Sequence, residues 1–215
     1  MKQLILGTAQ FGYRYGISNQ NQKISLSETR SVLNCGIKNK INFLDTAISY
    51  GRSEEILGKI GVGEYKIISK LPKIPSNISD VSLWVINQTQ SSIKRLNVKS
   101  LYGILLHHPS DLVGQHSSHL IKALDTLKSI GLVNKIGISI YDPKELDRYF
   151  SLLNIDIVQA PLNIIDRRLI LSGWLSKLHN NKVEIHIRSI FLQGLLLMQR
   201  NNIPSKFKKW SKIIR

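Results

Sequence analysis

Cysteine is nearly absent from this 215-residue chain, and the single one, Cys35, rules out an internal disulfide. It lies in a helical pattern between Leu33 and Ile37, so the expectation is a small buried apolar residue rather than a nucleophile. Long hydrophobic runs are also missing. The most apolar stretch, Ile190 to Met198, is far too short to span a bilayer. The first residues carry no charged-then-apolar leader and pass at once into the strand-like Leu4-Ile5-Leu6, which predicts a cytoplasmic protein. No GxGxxG follows that first strand, which argues against a Rossmann dinucleotide domain. Acidic residues are scarce: 14 against 30 Lys and Arg leave a net charge of +16. The lysines are spread out, and only Lys206 to Lys212 cluster, around Phe207 and Trp210. No nucleic-acid motif accompanies them, so neither nucleic acid nor membrane is expected as a partner, and a solvated basic surface that favours phosphorylated ligands is.

The rest of the sequence alternates short apolar strands with amphipathic helices. Strands are predicted at 4–7, 42–45, 66–70, 101–107, 135–139, 155–159 and 183–189. A helix opens at Ser27 as N-cap, with Val32, Leu33 and Ile37 on one face. Others run from Arg52 to Ile60, from Ser79 with Leu83, Ile86 and Ile93 inward, from Ser118 to Ile130, from Pro143, and from Ser172 to His179. The strands are apolar on both faces, as in a buried parallel sheet. Repeated strand-helix units without a Rossmann fingerprint predict an α/β TIM-type (β/α)8 barrel in one domain, 1–215. Only seven strands are found before the basic, amphipathic end at 203–215, so the barrel is predicted to be incomplete, with two open edges fit for self-association.

In such barrels the chemistry sits at the C-terminal ends of strands. The polar residues there are Asp45 with Tyr50 in its loop, then Lys70, His107, Ser139, Gln159 with Asn163 beyond, and Arg188-Ser189. Taken singly each has a plain reading: Asp45 a loop cap, Tyr50 a solvated loop aromatic, Lys70 a strand-end lysine, His107 a core histidine and Arg188 a salt-bridged strand end.

The ordered set says more. Leu6-Gly7-Thr8-Ala9-Gln10-Phe11-Gly12 resembles the first-strand motif of the aldo-keto reductases, and Asn42-Phe43-Leu44-Asp45-Thr46-Ala47 with Tyr50-Gly51 and Ser53-Glu54-Glu55-Ile56-Leu57-Gly58 is similar to their strongest signature. Ile67-Ile68-Ser69-Lys70, Leu105-Leu106-His107-His108-Pro109, Ile136-Gly137-Ile138-Ser139, Val158-Gln159-Ala160-Pro161-Leu162-Asn163, and Arg188-Ser189 with Leu192-Gln193-Gly194-Leu195-Leu196 follow in family order. The resemblance runs in register from about residue 4 to residue 198. It implies an NADP(H)-dependent oxidoreductase, with NAD the alternative, that reduces an aldehyde or ketone or oxidises an alcohol or sugar. It also implies roles: Tyr50 the general acid, Lys70 its activator, Asp45 the partner of Lys70, and His107 the group that orients the carbonyl. Ser139, Gln159, Arg188 and Ser189 would hold the cofactor; no metal is implied. Two positions depart from the pattern. Ile140 stands where many relatives have asparagine, and Arg188 where many carry an aromatic that stacks on the nicotinamide. The family's eighth strand and following helix, which grip the cofactor phosphates, find no counterpart, so the barrel domain reads as C-terminally shortened. A catalytically impaired barrel with a binding or structural role is the alternative.

Overall fold

A computed structural model of the chain describes residues 3–18 and 24–210. The chain runs β1 (Leu6–Gly7), α1 (Ala9–Gly12), α2 (Leu26–Lys38), β2 (Phe43–Asp45), α3 (Ser53–Ile60), β3 (Lys66–Leu71), α4 (Val81–Leu96) and β4 (Leu101–Leu106). It continues with α5 (Ser117–Ser129), β5 (Val133–Ser139), α6 (Lys144–Tyr149), β6 (Ile157–Pro161), α7 (Arg168–Leu171), α8 (Trp174–Asn180) and β7 (Glu184–Arg188). The strands pair in chain order, all parallel, into one seven-stranded sheet. The sheet curls into an incomplete (β/α) barrel of the predicted kind. Among the described residues, β1 and β7 each have one unpaired edge.

Alternation along the strands sorts side chains into two cores. Leu44, Ile67, Leu71, Ile104, Ile138 and Val158 face outward into the layer shared with the helices. Phe43, Ile68, Leu105 and Ile157 form a small plug inside the curl. Gly137 lets β5 and β6 approach here: a Cβ would lie 1.9 Å from the Ile157 carbonyl oxygen.

Below the plug, at the N-terminal ends of the strands, sits a charged layer. The Glu184 carboxylate accepts hydrogen bonds from the Tyr102 hydroxyl at 2.8 Å and from Lys135, and His186 Nε2 lies 2.7 Å from its other oxygen. Lys66 and Lys135 both stand over the Tyr102 ring.

Several local expectations differ from what is seen. The first strand is two residues rather than four, and the fourth stops at Leu106, leaving His107 just past its end. The sixth starts and ends two residues later than expected, and the seventh ends at Arg188, before Ser189. Helix α2 is capped by Ser25, not Ser27, because Glu28 completes a capping box with Ser25. Helix α4 takes Asp80 as its cap. The helix predicted at 172–179 runs from Trp174 to Asn180, and an unpredicted short helix, Arg168–Leu171, precedes it, the two parted at Gly173, whose φ is +77°. Leu83 faces solvent at 55% exposure, and Val32, Ile37 and Cys35 are exposed as well. Only Thr29, Leu33 and Gly36 of α2 are buried, so its inward stripe is narrower than the apolar pattern suggests. The basic end lies outside the described residues from residue 211 onward.

Burial works to raise the Glu184 carboxyl, but the hydrogen bonds from His186, Lys135 and Tyr102 prevail and bring it to about 2. Its reference value is 4.5, so the stability it contributes is complete above that pH and is lost as pH falls towards 2. Glu184→Gln should therefore lower unfolding stability at neutral pH by roughly 1–2 kcal/mol, a charged hydrogen bond discounted for partial exposure. In urea unfolding followed across pH, the gap to the unsubstituted chain should close between pH 4.5 and 2.

Candidate active site

Above the plug, the next inward residue along β2, β3, β4 and β6, the strands that form it, is polar. Asp45 ends β2 and Lys70 sits near the end of β3, where the register of the pair runs Phe43–Lys66, Leu44–Ile67 and Asp45–Ile68. Beyond the strand pairing, the amides of Thr46 and Ile48 donate to the carbonyls of Ile68 and Lys70. The loop after β2 is thus fastened along β3. Lys70 is completely buried. Its ammonium donates to both Asp45 oxygens at 2.8 and 2.9 Å and to the Thr46 carbonyl at 2.7 Å, and it lies 3.4 Å from the Tyr50 hydroxyl.

Tyr50 is held from below. A Cβ on Gly12 would lie 1.6 Å from the Tyr50 carbonyl oxygen, so only glycine fits beneath the loop. The Tyr50 ring meets Tyr13 and His107 edge-on, at centroid distances of 6.1 and 5.9 Å. His107 Nδ1 lies 3.2 Å from the Ser49 hydroxyl. Asp45, Tyr50, Lys70 and His107 therefore gather at one rim of the sheet.

Across the opening, Ser139 and Gln159 are register partners on β5 and β6. The Ser139 hydroxyl donates to the Gln159 carbonyl oxygen at 3.2 Å, and the Gln159 amide donates to Asp45 Oδ1 at 2.7 Å. Ile140 is fully buried. Arg188 ends β7, donating to the Ile140 carbonyl at 2.8 Å, with its guanidinium 4.2 Å from the centre of the Tyr141 ring. Ser189 starts a tight turn in which Ser189, Leu192 and Gln193 all have positive φ, a region non-glycine residues seldom occupy. The turn borders a cavity of about 220 Å³ shared with Ile17, Ile165 and Phe207. Gly194 permits this: a Cβ there would lie 2.1 Å from the Ser18 hydroxyl.

Environment sets the protonation of the ring. Burial, then the Asp45 charge, raise Tyr50 above the ordinary phenol value. The Arg188 charge across the opening acts in the opposite direction and is outweighed. Burial pulls Lys70 down, against the opposing pull of Asp45. Burial, Lys70 and His108 bring His107 to about 4, so the imidazole is neutral at physiological pH.

A further layer was not visible from the strand ends alone. Glu54 of α3, 2% exposed, accepts from Ser69 at 2.7 Å, Ser92 at 2.6 Å and Arg95 at 2.8 Å, and so ties β3 to α3 and α4 directly behind Lys70. Its place in the Ser53-Glu54-Glu55 run was the available signal.

The model of the Aldo/keto reductase family matches residues 3–213. The chain belongs to this family of oxidoreductases. It is 27% identical over 206 residues to the uncharacterized oxidoreductase YqkF of Bacillus subtilis, covering 91% of this chain and 67% of that protein. It is 24% identical to the aldo-keto reductase YhdN of the same organism, over 82% of this chain and 54% of the relative, so it spans little more than half the length of that protein. Among solved structures, an aldo-keto reductase from Bacillus halodurans in its holo form superposes with TM-score 0.71 at 21% identity, over 90% of this chain and 64% of the other. The glycerol dehydrogenase of Gluconobacter oxydans gives 0.69 at 21%, over 97% and 69%. At that identity the likeness speaks for the fold.

The pair of Lys70 and Asp45 carries a stability prediction. Asp45→Asn leaves a fully buried ammonium without its counter-charge, which should cost about 3–5 kcal/mol of unfolding stability. The folded value of Lys70 already lies below its reference of 10.5, so the unfolded state binds more protons over that interval and stability rises with pH there. Urea unfolding of the variant should accordingly recover part of its loss as pH climbs towards 10.5.

Proposed function

We propose that this chain is an NADP(H)-dependent carbonyl reductase, acting on an aldehyde or ketone or, in reverse, on an alcohol or sugar, with Tyr50 as general acid. The observation that carries the reading is the approach of the Tyr50 hydroxyl to within 3.4 Å of a buried Lys70 that is itself paired with Asp45. The cofactor, when bound, supplies a hydride to the carbonyl carbon. The carbonyl oxygen then takes the Tyr50 proton, and the product is an alcohol. Raised by burial, Tyr50 keeps its proton at neutral pH until the oxygen develops charge. Lys70 then stabilises the phenolate in a site where low polarity strengthens the attraction. His107, neutral, offers a ring nitrogen to orient the carbonyl.

Ser139 and Gln159 fit a carboxamide, since a hydroxyl and an amide lying side by side offer both a donor and an acceptor. Arg188, already stacked on Tyr141, offers a flat cation for the nicotinamide side, and Ser189 opens the turn beside the cavity. The basic net charge favours NADP over NAD.

A second reading, a barrel that binds without turnover or self-associates, is favoured by one observation: the unpaired edges of β1 and β7 among the described residues. Fluorescence titration with NADPH separates the two. Saturable quenching supports the reductase, and no change up to millimolar cofactor rejects it for this chain. Tyr50→Phe should then lower kcat by at least about 10²-fold while leaving cofactor affinity unchanged. With His107 near 4, the acid limb of activity should appear around that pH rather than at the usual imidazole value.

A further inference from the structure

The Asp45 carboxylate is shared between two donors from opposite sides of the opening. Oδ1 accepts from Lys70 at 2.8 Å and from Gln159 Nε2 at 2.7 Å, a contact linking residues 114 positions apart. A carboxylate can only accept, so the Gln159 NH2 must face Asp45 and its carbonyl oxygen must face Ser139, which then donates. The result is one connected network in which Ser139 donates to Gln159, Gln159 and Lys70 both donate to Asp45, and Lys70 also reaches the Tyr50 hydroxyl. Gln159 is 4% exposed and Ser139 2%, so water does not take over either bond.

We infer that Gln159 is a positioning residue for the proton donor: by drawing on Asp45 Oδ1 it sets how firmly the carboxylate holds the Lys70 ammonium, and so how much of that charge reaches Tyr50. The inference rests on the reductase reading of the ring and deepens it. If Gln159 also meets the cofactor's carboxamide, filling that site and tuning the acid become one event, because the same amide serves both.

The charged and titratable groups around Lys70 are Asp45, the Tyr50 hydroxyl, Glu54 behind it, His107 just past the end of the neighbouring β4 and Arg188 across the opening. Of these only Asp45 is touched by Gln159. Removing the amide leaves Oδ1 to Lys70 alone, which strengthens the ion pair and favours the ammonium.

The test uses cofactor-free protein with 13C-labelled lysine, following the Lys70 Cε resonance against pH; Lys70→Arg assigns the signal. Gln159→Met, of similar volume but without polar hydrogens, should move the Lys70 titration upward by about one pH unit. Ser139→Ala, which removes only the far end of the network, should move it the same way by less. Near-UV circular dichroism confirms that each variant is folded. If Lys70 titrates alike in the unsubstituted chain and both folded variants, Gln159 does not act on the donor and the inference is overturned. A downward shift overturns it too. Failure of NADPH to quench fluorescence would reject the reductase reading while leaving the cofactor-free titration to stand, so the two outcomes are distinguishable.

Discussion

The ion pair between Lys70 and Asp45 is the constraint on which the rest of the site depends. Moving an ammonium out of water is unfavourable by several kcal/mol, and it is tolerated only where its donors find good acceptors. Lys70 reaches both carboxylate oxygens and the Thr46 carbonyl, all within 2.9 Å. Two of these acceptors lie at the end of β2 and one in its loop, so satisfying the ammonium fixes that loop to β3. Tyr50 then has little freedom. The loop carries it over Gly12, where no side chain fits, and against Tyr13 and His107.

The same strand is held from behind. Successive residues of β3 point to opposite faces, so Ser69 meets Glu54 on the helix side while Lys70 meets Asp45 on the inner side. Glu54 also gathers Ser92 and Arg95 from α4. Gly58 lets α3 and α4 come this close, since a Cβ there would sit 2.0 Å from the Arg95 carbonyl oxygen. The placement of the amine therefore depends on helix packing several residues away, and β3 is gripped between two carboxylates, one on each face.

What sequence reading reached, and where it stopped, follows from the range of each interaction. The strand order and the polar residues at the rim were legible because parallel strands buried on both faces read as apolar runs, most with a polar residue at or near the C-terminal end. Helix faces were less so. An apolar stripe says that a helix is amphipathic, but α2 buries only Thr29, Leu33 and Gly36, leaving Val32, Cys35 and Ile37 to solvent. The cap of α2 was in fact readable: Ser25 stands three residues before Glu28, the spacing a capping box needs, whereas Ser27 does not. The bond from Gln159 to Asp45 had no sequence signal. It exists only because the curl of the sheet brings β6 opposite β2.

The curl also explains how two charged layers coexist inside one narrow barrel. The apolar plug of Phe43, Ile68, Leu105 and Ile157 separates the Glu184 cluster from the Asp45 ring. Without it, water entering from the N-terminal end would screen the ion pair that positions Tyr50. At the other end, the segment after β1 reaches over to the turn after β7: the amides of Ile17 and Ser18 both donate to the Gln193 carbonyl. That contact joins the two strands that lack a common neighbour, and it does so through a turn whose residues have strained φ. Strain of this kind persists only where surrounding contacts over-determine it. Here the same contacts close the rim beside the cavity, so the strained turn and the candidate cofactor surface are one structural unit.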